Sequence, residues 1–184
     1  MDIKQEKKEL RKIIREKKKI YSTLKKKVSS YPIFECIERT KVFRKANYIL
    51  MYWSMEDEVF THDFINKWYK NKSILLPCVV GNDLVLKQYD GLESMIEGEQ
   101  FSILEPQGEI FQNYSAIDLM IIPGVAFDTE KRRLGRGRGF YDRLLKTHDC
   151  CKIGICFDFQ LVKKVPVEEF DIKMDKIIAM SSIH

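Results

Sequence analysis

A chain of 184 residues, 45% hydrophobic and 32% charged, has the length of one domain and the composition of a globular protein rather than a disordered or fibrous one. Its net charge of +5 is uneven, because residues 1–28 carry twelve Lys or Arg against four Asp or Glu and the remainder totals −3. The longest apolar run, residues 119–127, is too short to span a bilayer, and the five cysteines show neither zinc spacing nor an even disulfide framework, so no membrane role and a reducing, cytoplasmic setting are expected.

In the first 28 residues Ile3, Leu10, Ile13, Ile14, Tyr21, Leu24 and Val28 recur near helical spacing among lysines, which predicts one long amphipathic helix. Ser29-Ser30-Tyr31-Pro32 is expected to interrupt it, with Pro32 in the first turn of a second helix that turns Ile33, Phe34 and Ile37 inward. Residues 48–53, Tyr-Ile-Leu-Met-Tyr-Trp, read as a strand covered on both faces, followed by a helix from a Thr61 cap through Phe64, Ile65 and Trp68. Residues 74–80 and 84–89 flank Gly81-Asn82-Asp83 as two strands joined by a hairpin-like turn. Residues 117–122 predict a buried strand, 140–147 a helix, 152–157 a strand and 177–180 a last short strand. Strands alternating with helices predict a single three-layer α/β domain over residues 1–184, with a largely parallel central sheet and helices on both faces.

The most informative stretch is Pro123-Gly124-Val125-Ala126-Phe127-Asp128, continued by Arg133-Leu134-Gly135-Arg136-Gly137-Arg138-Gly139-Phe140-Tyr141-Asp142-Arg143. It leaves the C-terminal end of a buried strand and enters a helix, the position where open α/β sheets bind their ligands. Three alternate glycines let backbone N–H groups approach an anion, and Arg133, Arg136 and Arg138 add guanidinium forks that match phosphate or carboxylate oxygens. The spacing is neither a Walker A loop nor G-x-G-x-x-G. Asp142, in the first helical turn, adds a carboxylate able to hold a Mg²⁺ ion bridging nucleotide phosphates. The same composition also suits an Arg-Gly surface loop on RNA, or a phosphosugar-binding α/β protein with no nucleotide.

The string PGVAFD followed by RLGRGRGFYDR resembles the signature of the 5-formyltetrahydrofolate cyclo-ligases, also called methenyltetrahydrofolate synthetases. Further matches are Lys7-x-x-Leu10-Arg11, Ser54-Met55-x-Asp57-Glu58, Ile103-Leu104-Glu105-Pro106 and Asp171-x-x-x-Asp175-x-Ile177-Ile178, so the resemblance covers nearly the whole chain. It implies that ATP phosphorylates the formyl oxygen of 5-formyltetrahydrofolate, with or without a polyglutamate tail, before N10 attacks to give the methenyl product. It implies that Lys7 and Arg11 contact the ATP phosphates and that Arg133, Leu134, Gly135, Arg136, Gly137, Arg138, Gly139, Phe140 and Tyr141 wrap the triphosphate. Arg136, Arg138 and Tyr141 would then be catalytic, while Arg136 through Phe140 also touch the folate beside Met55, Glu58 and Phe60. Asp142 and Asp175 would hold Mg²⁺.

Two residues depart from the usual pattern: Phe60 stands where an acidic residue is common, with Glu58 as a neighbouring substitute, and Phe140 replaces the first tyrosine of a Tyr-Tyr pair. His62, His148 and His184 belong to no recognisable catalytic set. The competing reading is an RNA-binding module built on the basic helix and the Arg-Gly loop, but the chain has no RNP-type motif and its aromatic residues lie mostly in apolar runs. A small-molecule substrate, no nucleic-acid partner and a monomer rather than an oligomer are expected.

Overall fold

A computed structural model describes residues 2–81, 83–98, 103–146 and 148–183. Its first helices are α1 (Ile3–Ile20), α2 (Thr23–Arg39) and α3 (Lys41–Lys45). The chain breaks at Tyr21-Ser22 and not at Ser29 to Pro32. Ser22 is extended, and its hydroxyl accepts a hydrogen bond from the Lys25 amide, so it caps α2. Pro32 lies inside α2, where it removes the amide that would have bonded to Val28, and the helix nevertheless runs on. Burial offsets the lost bond: Ile33, Phe34 and Ile37, in the turns beyond the proline, are all core residues.

The inward face of α1 differs from the expected apolar stripe. Ile14 is fully buried, but its buried companions are Lys7 and Lys18, whereas Ile13 and Ile20 face solvent at 52% and 85% exposure. Leu24 and Val28 are likewise exposed. The long charged side chains reach inward because acidic partners on the body receive them.

Downstream, β1 (Tyr48–Leu50) leads through α4 (His62–Trp68) to β2 (Ser73–Val80) and β3 (Asp83–Gln88), with Asn82 outside the described residues. Then come β4 (Met95–Glu97), β5 (Leu104–Pro106), β6 (Leu119–Ile122), β7 (Ala126–Asp128) and β8 (Arg133–Leu134). The chain finishes with α5 (Phe140–Lys146), β9 (Cys151–Ile155), β10 (Leu161–Val162) and β11 (Lys176–Ile178). The central sheet has the order β11-β9-β6-β1-β2-β3 and is parallel at every pairing except the β2–β3 hairpin.

Side chains alternate across this sheet with period two. Ile49, Ile74, Leu119, Ile121 and Ile153 pack under α2, α3 and α4, while Leu50, Leu75, Met120 and Ile122 pack against Leu144 and Leu145 of α5. This is the expected α/β architecture, with helices on both faces of a largely parallel sheet. Two smaller sheets were not anticipated, the β4–β5 pair and the order β10-β7-β8. Their strands have two or three residues each, too few to produce a readable alternation.

Phe127 of β7 joins the small sheet to the large one. A Cβ on Gly154 of β9 would lie 2.5 Å from its Cε1, and one on Gly124 would lie 2.5 Å from its Cζ. The ring occupies the space that side chains on those two glycines would have filled. Gly154→Ala is therefore expected to destabilise the fold by about 1–3 kcal/mol through overpacking. Urea unfolding measures this, and an unchanged midpoint would mean that the Phe127 layer gives way freely.

Candidate functional site

Beyond the C-terminal ends of β1 and β6 the chain encloses a cavity of about 740 Å³. Tyr52, Trp53 and Met55 follow β1 into it, Pro123 and Gly124 follow β6, and the loop from β8 to α5 forms a second wall. Helix α1 crosses the opening with Lys4, Lys7 and Arg11, and the C-terminal segment adds Glu168, Phe170 and Asp171. Of the residues singled out in the sequence, Lys7, Arg11, Met55, Glu58 and the whole run from Arg133 to Asp142 line this one space.

Phe60 and Asp175 are not brought to it. Phe60 packs on the His62 ring at 4.6 Å with the Lys27 ammonium over its face, outside the cavity wall. Asp175 precedes β11, and its carboxylate accepts the Lys152 amide at the N-terminal end of the sheet, whereas Asp142 sits by Pro123 at the C-terminal end. The parallel strands hold these two carboxylates at opposite ends, so they do not converge on one metal.

The loop owes its shape to backbone that L side chains avoid. Gly137 and Gly139 have φ of 106° and 68°, and the Arg11 guanidinium carbon lies 3.5 Å from where a Cβ on Gly137 would stand. Arg11 also donates from Nε to the Gly135 carbonyl at 2.9 Å, which ties α1 to the loop. Burial lowers its pKa, against the opposing pull of Asp171 and Glu168.

Arg133 braces the loop from beneath. Its Nη2 donates to Asp142 Oδ1 at 2.8 Å, its Nη1 to the Pro123 carbonyl at 3.4 Å, and its guanidinium carbon lies 5.6 Å from the Tyr141 ring centre. The side chain is 3% exposed, and its Nε finds no acceptor among the described residues. Arg133 is thus a strut for the β8–α5 junction. The preceding turn is built by Asp128, whose buried carboxylate accepts the amides of Glu130, Arg132 and Val165, with Lys131 at φ 64° between them.

Two further cations of the wall meet acids. Lys7 binds Glu168 at 2.8 Å and Asp171 at 2.5 Å. Arg136 donates from Nη2 to Asp57 at 2.8 Å and to Glu58 at 2.9 Å. Burial disfavours the charged Arg136, but Glu58 and Asp57 outweigh it and raise its pKa. Burial would likewise raise the Asp57 pKa, yet Lys18 and Arg136 together hold that carboxyl below its usual range.

At the other end the wall is apolar and aromatic: Trp53, Met55, Pro77, Val79, Leu84 and Ile103. Trp53 is stacked on His62 with ring centres 3.8 Å apart, which fixes the indole plane. Glu105 accepts the Val79 amide, and burial together with this carboxylate pushes the Cys78 thiol up to about 12. Burial raises the Tyr141 pKa, with a further push from Glu58, so the phenol keeps its proton at neutral pH. Such a space accepts a flat ring system at one end and a polyanion at the other.

Sequence reasoning missed Trp53, Pro77, Val79, Leu84, Ile103, Glu105, Glu168 and Phe170 as wall residues. Only Trp53 carried a readable signal, since it lies just past the end of a buried parallel strand. The others gather through the β2–β3 hairpin, whose turn was legible, the β4–β5 pair and the return of the C-terminal segment, but which of their side chains face the cavity is set by tertiary packing.

The model of the 5-formyltetrahydrofolate cyclo-ligase family matches residues 3–180. The 5-formyltetrahydrofolate cyclo-ligase of Escherichia coli K12 is 33% identical over 148 residues, covering 75% of this chain and 80% of the relative. That of Haemophilus influenzae is 31% identical over 145 residues, covering 73% and 76%. Among solved structures, the 5,10-methenyltetrahydrofolate synthetase of Aquifex aeolicus superposes with a TM-score of 0.85 at 32% identity, over 95% of this chain and 89% of its own. The synthetase from Mycoplasma pneumoniae gives 0.75 at 26% identity, over 97% and 98%.

Proposed function

This chain belongs to the 5-formyltetrahydrofolate cyclo-ligase family, and on that premise we propose how its cavity divides the work of the reaction. It is an ATP-dependent ligase that converts 5-formyltetrahydrofolate to 5,10-methenyltetrahydrofolate with release of ADP and phosphate. The γ-phosphoryl group passes to the formyl oxygen, N10 bonds to the formyl carbon and loses its proton, and the carbon–oxygen bond breaks so that phosphate departs carrying the equivalent of that proton. Most of the catalysis in such a transfer is positioning and charge stabilisation.

The observation that carries the assignment is that one cavity joins an aromatic slot to a cationic glycine loop at Arg136 and Phe140. The reduced pterin lies between Trp53, Met55 and the wall formed by Pro77 and Leu84, where its fused rings exclude water. Arg11, Arg136, Arg138 and the amides around Gly137 and Gly139 receive the triphosphate, with Lys7 reaching it if Glu168 and Asp171 yield. Arg136 and Arg138 stabilise the migrating phosphoryl group. Tyr141, protonated, orients the loop against Arg133, and Phe140 supplies an apolar surface where a tyrosine is usual.

The donor set fits a Mg²⁺ ion held by one carboxylate and by nucleotide phosphates. Asp142 Oδ1 binds Arg133, and among the described residues no bond claims Oδ2 and no group of three His, Cys, Asp or Glu able to enclose a metal occurs. Asp142 would hold the ion, which supplies charge screening for the phosphates. Asp175 and Phe60 take no part in this assignment. The five cysteines are free, which agrees with a reducing cytoplasm, and no described helix is long and apolar enough to cross a membrane. The chain acts as a monomeric single domain on this reading. Nothing in the comparisons supports an RNA-binding role, and Lys7, Arg11 and Lys18 of the basic arm turn inward onto the body of the protein.

The test is to follow the near-ultraviolet absorbance of the methenyl product with ATP, Mg²⁺ and 5-formyltetrahydrofolate. An ATP-dependent rise is expected. Thermal stabilisation by ATP with no rise would sink the folate assignment and leave a nucleotide site with another acceptor.

A further inference from the structure

We propose that Lys18 is a positioning residue for the phosphate end of the cavity, acting on Arg136 through Asp57. Neither Lys18 nor Asp57 lines the cavity, so any effect on ligand must pass through the arginine. The inference rests on the assignment of Arg136 to the triphosphate.

The geometry is a relay of alternating charge. Lys18, with a side chain 8% exposed, donates from Nζ to Asp57 Oδ2 at 2.8 Å, and Asp57 Oδ1 accepts from Arg136 Nη2 at 2.8 Å. Glu58 takes the same Nη2 at 2.9 Å and Nε at 3.3 Å from the side. Those bonds occupy one edge of the guanidinium and leave Nη1 without an acceptor among the described residues, available to an anion in the cavity. Glu58 is itself fixed, accepting the Met55 amide at 3.0 Å.

A lysine buried among core helices is costly unless its charge is matched. Lys18 stands three turns from Lys7 on the same inward face, roughly 16 Å along α1, and does not approach the ligand space itself. What it does is balance Asp57. With Lys18 the four groups Lys18, Asp57, Arg136 and Glu58 sum to zero, and each Asp57 oxygen has one partner. Without it the cluster carries a net negative charge beside the triphosphate, and Asp57 is free to turn and drag Arg136 off its bearing.

A simple ion pair that fastens α1 to the body would affect folding alone, and a double-mutant cycle separates the two roles. ATP affinity is measured by calorimetry, without turnover, for the unsubstituted protein, Lys18→Met, Arg136→Ala and the double variant, with Lys18→Arg as the conservative replacement. Lys18→Met should weaken ATP binding roughly tenfold, the worth of one charge-assisted hydrogen bond. Lys18→Arg should recover most of that loss, and Lys18→Met should add nothing in the Arg136→Ala background. A lowered melting temperature with unchanged ATP affinity, or independent additive losses, would overturn the proposal while leaving Arg136 on the phosphates. No effect of Arg136→Ala on ATP affinity would overturn both. Should Lys18→Met fail to fold, Asp57→Asn removes the same link from a more exposed position and is read by the same cycle.

Discussion

Asp142→Ala is expected to destabilise the protein by about 3–5 kcal/mol, because it strands a buried guanidinium. Among the described residues Arg133 has no other acidic partner: its Nη1 reaches only the Pro123 carbonyl at the limit of bonding distance, and its Nε lacks an acceptor. Removing Asp142 leaves the positive charge in a site with almost no access to water. The same change deletes the only carboxylate assigned to Mg²⁺, so activity should fall even at temperatures where the variant remains folded. Denaturant unfolding separates the two effects when the variant is paired with Arg133→Met. Without the stranded charge, the Arg133→Met, Asp142→Ala protein should recover most of the lost stability and none of the activity. Unfolding of Asp142→Ala at the wild-type midpoint would refute the strut. Recovery of full activity in the double variant would remove Asp142 from the site.

For Arg136→Ala the expectation is reversed, with a large loss of turnover and a small loss of stability. A donor aimed at charge that develops during phosphoryl transfer typically contributes about 10²–10³ in rate, and kcat/KM should fall by that order. The side chain is half exposed, so its ion pairs with Asp57 and Glu58 add little to folding. The loss of rate has a second source in Glu58, which lines the cavity and, freed of the arginine, places a carboxylate next to the incoming triphosphate, while Asp57 keeps its pair with Lys18. Arg136→Lys should rescue poorly, since one ammonium cannot grip Glu58 from the side, reach Asp57 and still present an edge to the ligand. Steady-state kinetics and a thermal melt on the same preparations test this. Near-normal kcat/KM in Arg136→Ala would remove Arg136 from the reaction.

The core strands and the glycine-arginine loop were legible for a common reason. A strand buried on both faces needs a nearly unbroken apolar run, as in Leu119 to Ile122, and a backbone at positive φ favours glycine, as at Gly137 and Gly139. Both demands act within a few residues and leave a mark there. The break between α1 and α2 was misplaced because Pro32 is the louder local signal, while the Ser22 cap is one hydrogen bond and the burial beyond Pro32 depends on partners far along the chain.

Residue types and spacing alone determined the layered α/β architecture and the start of the Pro123–Arg143 stretch at the C-terminal end of β6. The tertiary structure alone decided which charges face each other. It turned Lys7 and Lys18 inward and left Ile13 and Ile20 in water, because acids more than 35 residues distant receive those lysines. It separated Asp142 from Asp175 by the length of a strand and kept Phe60 against His62, outside the cavity. Hydrophobic periodicity is a property of neighbours along the chain, whereas the pairing of buried charges depends on which distant segments the sheet brings together.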